Sequence, residues 1–220
     1  MEKKNYVITV ARGFGSGGKE ISLKLAKKLG IPCYYSQILQ MASDYSGIKK
    51  AMFVKADERL TGSRLLRLLK RTPNRDQIIE PTEREFVSDV NLFNIQAKII
   101  KGLAETESCV IIGKCANDIL SKYPNVVSVY IEAPRAFCAA RIMDDFGCDE
   151  EEAGRMIHHT DKYRADYYKY YTGGKTWTDP VAYDMTLNSA RVGIDRCVDV
   201  IIHYTEMKLG YRLLPEGEGQ

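Results

Sequence analysis

Two hydrophobic periods alternate along this chain. Short apolar or β-branched runs at residues 6–11, 32–35, 109–113, 126–132 and 182–187 read as strands. Between them apolar residues recur every three or four positions, the spacing of a helix with one buried stripe. Ile21, Leu25, Ala26 and Leu29 make such a stripe, with Glu20, Lys24, Lys27 and Lys28 on the solvated face, and Gly30 and Pro32 stop the helix. Ser36 is placed to cap a helix over 37–45 that Gly47 ends. Phe86, Val90, Phe93, Ala97, Ile100 and Ala104 outline a long helix, and Ala133-Pro134 opens another that ends at Gly147. Asp149-Glu-Glu-Glu152 has the form of a capping box for the next, which runs to Gly173-Gly174. Ile194, Val198 and Ile201 share one face of a last helix over 192–207. Strand and helix in alternation predict a parallel, doubly wound α/β fold with five strands. Ligands of such sheets sit beyond the carboxyl ends of the strands.

Residues 48–84 break the alternation. They are basic and weakly periodic, with a short helix around Leu65, Leu66, Leu68 and Leu69 and a turn at Thr72-Pro-Asn-Arg75. The segment reads either as a flap over an anionic substrate or as a solvated insertion. The whole chain, 1–220, is expected to be one domain, which its length suits.

Composition narrows the class. With 45% hydrophobic and 28% charged residues the chain is ordinary for a globular protein, and a formal charge of +3 gives no reason to expect nucleic acid. No apolar run approaches the ~18 residues of a membrane span. The N-terminus leads straight into the first strand with no signal-peptide pattern, and the six cysteines show no C-x-x-C, which fits reduced thiols and a cytoplasmic location. Oligomeric state is left open.

The strongest chemical signal is Gly13-Phe14-Gly15-Ser16-Gly17-Gly18-Lys19-Glu20, directly after the first strand and at the start of the first helix. The spacing is G-x-x-x-x-G-K. Glycines let successive N–H groups turn inward as an anion nest, the helix adds its positive end, and the lysine reaches the outer phosphates of a nucleoside triphosphate. Glu20 stands where a Mg²⁺-binding hydroxyl is usual. It reads as a carboxylate ligand for Mg²⁺ or as the helix's first-turn acid.

At this point the residues resemble the cytidylate kinase-like proteins, relatives of bacterial cytidylate kinase among the nucleoside-monophosphate kinases. The resemblance rests on Ile8 to Ile21, on Cys109-Val-Ile-Ile-Gly-Lys-Cys-Ala116, on Asp161-Lys-Tyr-Arg-Ala-Asp-Tyr-Tyr168 and on Tyr183-Asp-Met-Thr-Leu-Asn-Ser189. It implies a P-loop kinase fold with an acceptor-binding insert at 48–84 and a lid at 149–176. It implies ATP and Mg²⁺ as cofactors and phosphoryl transfer to a small-molecule acceptor, for instance CMP. Lys19 matches the phosphate-loop lysine, and Asp161 and Arg164 match the lid's D-x-x-R, with Arg164 clamping the group in flight. Lys114 stands where the family usually has Arg, keeping the charge without the fork. Tyr35 and Ser36 fall on the acceptor side, Ser36 where Asp is frequent.

Arg141 and Arg155 read as phosphate or base contacts, or as solvent-facing charge. Tyr163, Tyr167, Tyr170 and Tyr171 share one helix face and suit packing of that helix on the core. His158 and His159 have no partner pattern for a metal or a triad. The departures at Glu20 and Lys114 keep a second class in view, a nucleotide-binding regulator without turnover.

Overall fold

The computed structural model describes residues 5–58, 78 and 87–214. Five strands build one sheet: β1 (Val7–Arg12), β2 (Cys33–Tyr34), β3 (Cys109–Ile112), β4 (Val126–Glu132) and β5 (Met185–Asn188). Their order is β2-β3-β1-β4-β5, and every neighbouring pair is parallel. This is the doubly wound, P-loop-type α/β sheet the sequence predicts. The helices are α1 (Gly18–Leu29), α2 (Gln37–Ser46), α3 (Lys50–Glu58), α4 (Asp89–Thr106), α5 (Ala116–Ile119), α6 (Arg135–Phe146), α7 (Glu150–Tyr171), α8 (Ser189–Val192) and α9 (Ile194–Leu209).

β1 lies at the centre, with all six residues buried, because helices cover both faces of the sheet. The alternation of a strand sorts its side chains. Ile8 and Val10 pack with Ile21 and Leu25 of α1 and with Val198 and Ile201 of α9. Val7 turns the other way, to Ile38, Ile100 and Leu120, and Ala11 joins an aromatic layer under α7. Each such Ile, Val or Leu contributes about 1.5–3 kcal/mol by leaving water. The strands being parallel, all their carboxyl ends reach one edge, where the phosphate-loop sequence follows β1.

Differences from the sequence reading have local causes. Ser36 precedes α2 but its hydroxyl makes no capping bond; Gln37 instead accepts the Tyr35 N–H at 2.9 Å through its side-chain oxygen. The strand expected from 182 starts later, since Asp179 caps a 3₁₀ turn at Pro180–Ala182. The last helix forms where expected, as α9, and Gly193, whose φ is +88°, separates it from the short α8 that the sequence reading did not include. The acid cap at Asp149 forms, accepting from the Glu152 N–H at 2.8 Å. Within the basic segment, α3 is a helix that weak periodicity concealed. Residues 59–77 and 79–86, with the expected helix at Leu65–Leu69, the Thr72 turn and Phe86, lie outside the described residues.

Candidate active site

The phosphate loop is shaped by what lies beneath it. A Cβ on Gly13 would come within 2.3 Å of Glu132 Oε1, so a side chain there would strike a carboxylate. That carboxylate is fixed, accepting from the Tyr130 hydroxyl at 2.8 Å and the Ala133 N–H at 3.0 Å. Gly15 has φ +81° and would meet the Cys138 carbonyl at 2.7 Å. Only glycine satisfies both the angle and the gap. The Ser16 hydroxyl donates back to the Gly13 carbonyl at 2.8 Å, and the Ser189 hydroxyl donates to the Ser16 carbonyl at 2.5 Å. The loop is thus braced before any ligand arrives. Lys19, on the first turn of α1, is exposed, with its ammonium 6.0 Å from the centre of the Tyr35 ring.

Helix α7 is tied to this loop by a carboxylate. Asp161 Oδ1 accepts the Phe14 N–H at 2.8 Å, and Oδ2 accepts from Arg135 at 2.7 Å. One turn on, Arg164 donates to the Arg12 carbonyl at 3.0 Å and lies 3.5 Å from Asp161 and 5.5 Å from the Phe14 ring. The tyrosines hold the helix in place. Tyr167, Tyr168, Tyr170 and Tyr171 are buried with Phe93, Tyr130 and Trp177, and Tyr171 stacks on Phe93 at 4.0 Å. An aromatic pair of this kind adds about 0.5–1.5 kcal/mol beyond its buried area.

Between α7 and the ends of β1 and β3 is a cavity of about 120 Å³. Arg12, Tyr35, Asp57, Lys114 and Arg164 supply its polar wall, and Tyr163, Tyr167, Tyr168 and Trp177 its aromatic wall. Lys114 and Cys115 are consecutive non-glycine residues in the left-handed region, at φ 58° and 55°. Such a backbone costs about 1–3 kcal/mol per residue and is kept where the surroundings dictate it. Here it delivers Lys114 to Asp57 of α3, whose carboxylate also lies 3.4 Å from Gln96 Nε2. The Tyr163 hydroxyl donates to the Asp57 carbonyl. Arg12 is only 9% exposed. Burial, and then the like charge of Arg164, pull its guanidinium down to about 10. Burial lowers Arg164 as well, against the pull of Asp161.

The structure therefore gathers the phosphate loop, Tyr35, Lys114, Asp161 and Arg164 at one edge. It leaves three other residues singled out by sequence outside the cavity. Arg141, on α6, stands beside Gly17 rather than in the cavity, donating to Glu20 at 2.9 Å. Arg155 is exposed and pairs with Glu151 one turn away, and Ser36 is exposed at the head of α2. Four neighbours went unnoticed in sequence: Arg12, Asp57, Glu132 and Arg135. An arginine closing an otherwise apolar strand was the one signal available.

Glu20 also accepts from Lys24 at 3.2 Å. Although partial burial opposes ionisation, Arg141 and Lys24 hold its carboxyl below the usual range. Among the described residues no three His, Cys, Asp or Glu side chains group as a metal cage. Mg²⁺ does not require one, since it commonly binds through one or two carboxylates, phosphates and water. Glu20 is the acid at the loop's end that fits such a shared site.

The model of the cytidylate kinase-like family matches residues 7–191, from β1 through the start of α8. A crystal structure of an uncharacterized protein from Eubacterium ventriosum is 26% identical, with a TM-score of 0.67, over 92% of this chain and 99% of its own. A shikimate kinase from Bacteroides thetaiotaomicron is 13% identical, with a TM-score of 0.49, over 91% of this chain and 98% of its own. No curated protein matches the sequence. This chain belongs to the cytidylate kinase-like family, and its function is kinase-like and nucleotide-dependent, with a small-molecule substrate.

Proposed function

We propose that the protein transfers the γ-phosphoryl group of ATP to a small acceptor held in the cavity beside the phosphate loop. The observation that carries this is the double attachment of Asp161. One oxygen holds the loop at Phe14, and the same residue neighbours Arg164 on the cavity wall. Loop and cavity are thereby parts of one edge, as a transfer between two bound molecules requires.

The roles follow from charge and position. The 13–18 backbone and Lys19 hold the triphosphate, while Arg164 and Lys114 face the negative charge that spreads over the moving group. When bound, Mg²⁺ would neutralise the phosphates, with Glu20 as the protein's carboxylate toward it. The 48–84 segment receives the acceptor and 149–176 acts as a lid that excludes water. CMP heads the acceptors to assay. The test is ATP consumption against nucleoside monophosphates and small alcohols, with Lys19→Ala as control. Turnover of an acceptor that collapses in Lys19→Ala is expected; equal turnover by both proteins would sink the assignment.

A second reading is nucleotide binding without turnover. What favours it is that Glu20, in place of the usual P-loop hydroxyl, and Lys114, in place of the family's usual Arg, are both engaged internally, Glu20 with Arg141 and Lys114 with Asp57. Nucleotide binding by calorimetry, with no product from the whole acceptor panel, would select it.

A further inference from the structure

A second cavity, of about 630 Å³, backs onto the one beside the phosphate loop. Asn117 and Tyr168 line both. The Asn117 amide donates to the Tyr168 hydroxyl at 3.0 Å and to the Ala182 carbonyl at 3.3 Å, tying α5 to α7 and to the 3₁₀ turn. No role in the proposed transfer falls on the far side of this wall, yet two polar atoms there lack partners. Ser128 of β4 and Asn117 are both more than nine-tenths buried. The Ser128 hydroxyl has no hydrogen-bond partner among the described residues, and the Asn117 side-chain oxygen accepts from none of them. A polar group so deeply buried is costly to leave unpaired, and a ligand in the cavity would complete it.

We infer that this cavity is a second ligand site, and that it takes a small organic cation: an ammonium or guanidinium on an apolar body. Nothing in this depends on the proposed transfer.

Charge decides the class. Three carboxylates, Asp118, Asp179 and Asp184, line the cavity against two lysines, Lys175 and Lys208. Lys208 directs its protons to the Val126 carbonyl at 2.8 Å and to the two Asp184 oxygens at 2.7 and 2.9 Å. Asp184 also accepts the Ser128 N–H at 2.7 Å. That pair therefore caps the edge of β4 where its pairing with β5, which starts at Val129, has not yet begun, and its role is structural. Lys175 is placed differently. It donates to Asp118 at 2.6 Å, yet its side chain is 58% exposed and that of Asp118 only 5%. It follows Gly173 and Gly174, at φ 69° and 100°, with open space around both. A buried carboxylate is thus covered by a cation on a solvated arm, which a cation held within the cavity can displace. An anion has less to meet, because the bonds of Lys208 are taken and three carboxylates repel it. The body of the ligand has Tyr123 and Tyr183 to lie against, with the exposed Val181 as an apolar lip. The Ser128 hydroxyl and the Asn117 oxygen accept its remaining N–H groups.

The test is calorimetric titration of agmatine and of benzamidine, one flexible cation and one aromatic, into the full chain, with inorganic phosphate in parallel. One-to-one binding of at least one of the two cations is expected. Asp118→Asn should weaken it by roughly tenfold or more, the loss of a charge-assisted contact. Lys175→Ala should tighten it by roughly two- to fivefold, because the competing ammonium is gone. A merely structural Asp118–Lys175 pair would produce no such gain. Binding of neither cation overturns the inference, as does cation binding that Asp118→Asn leaves intact. Phosphate binding that disappears in Lys175→Ala also overturns it, since the cavity would then take anions. If Asp118→Asn does not fold, Lys175→Ala changes only a solvated side chain, and unchanged or weaker cation binding there is the contrary result. ATP takes no part in these titrations, so a failure of the proposed transfer leaves each outcome readable.

Discussion

The rim of the phosphate loop and the wall of the cavity are both rich in charge, and they are built on opposite principles. On the rim, Glu20 meets Arg141 and Lys24, Lys24 meets Asp195, and at the far end of α1 Lys28 meets Asp199 in the same way. These pairs are largely solvated and mutually neutral, each worth at most about 1 kcal/mol. They stitch α1 to α6 and α9. In the cavity, a buried Arg12 and a half-buried Arg164 stand close together, and one carboxylate, Asp161, serves the loop as well as Arg164. Charge that is balanced can be structural. Charge that is buried and unbalanced is tolerated where a ligand completes it.

Lys19→Ala should produce the largest break, removing the mobile cation from the donor phosphates and lowering transfer by about 10²–10³-fold, as read by the initial rate with saturating acceptor. Gly13→Ala drives a methyl group into the Glu132 carboxylate. It should lower stability by about 1–3 kcal/mol and weaken ADP binding, because the loop must shift; denaturant unfolding and calorimetry report the two effects. Asp161→Asn keeps the shape but removes the charge shared by Phe14, Arg135 and Arg164. A loss of about 10–100-fold in kcat with a smaller change in the KM for ATP is expected, since misplaced groups cost rate rather than binding.

Glu20→Gln sharpens the contrast from the rim side, with a stability change below about 1 kcal/mol at neutral pH. Its sign with pH is fixed by its cause. The Glu20 carboxyl is held below its ordinary value of 4.5, so its contribution is present above that value and is lost as pH falls through the lowered one. Wild type and Glu20→Gln should therefore converge in stability below about pH 4. A gap that widens on acidification would contradict the ion pair.

The sheet was legible because each strand is a short apolar run between helical repeats, a purely local pattern. The phosphate loop was legible for the same reason: strand, glycines, lysine and helix stand in one stretch. What lay outside local pattern was missed. Arg12 looks like an ordinary strand-end residue until β3 and α7 bury it. Asp57 becomes part of a wall only when α3 meets Lys114 across 57 positions of sequence. Arg141 carried a charge suited to either side of the loop, and the packing of α6 decided which. The 3₁₀ turn at Pro180–Ala182 and the short helix α8 escaped notice because each depends on a side-chain cap, Asp179 for the one and Asn188 for the other.

The claim that loop and cavity form one transfer site is tested most directly by phosphorus NMR of ATP, Mg²⁺ and an oxyanion-bearing acceptor such as CMP mixed with the wild-type protein. The expected result is ADP and a phosphorylated acceptor appearing in equal amounts, at a rate that falls in both Lys19→Ala and Asp161→Asn. ATP that binds yet yields only inorganic phosphate, or no product with any phosphate- or carboxylate-bearing acceptor, would contradict it.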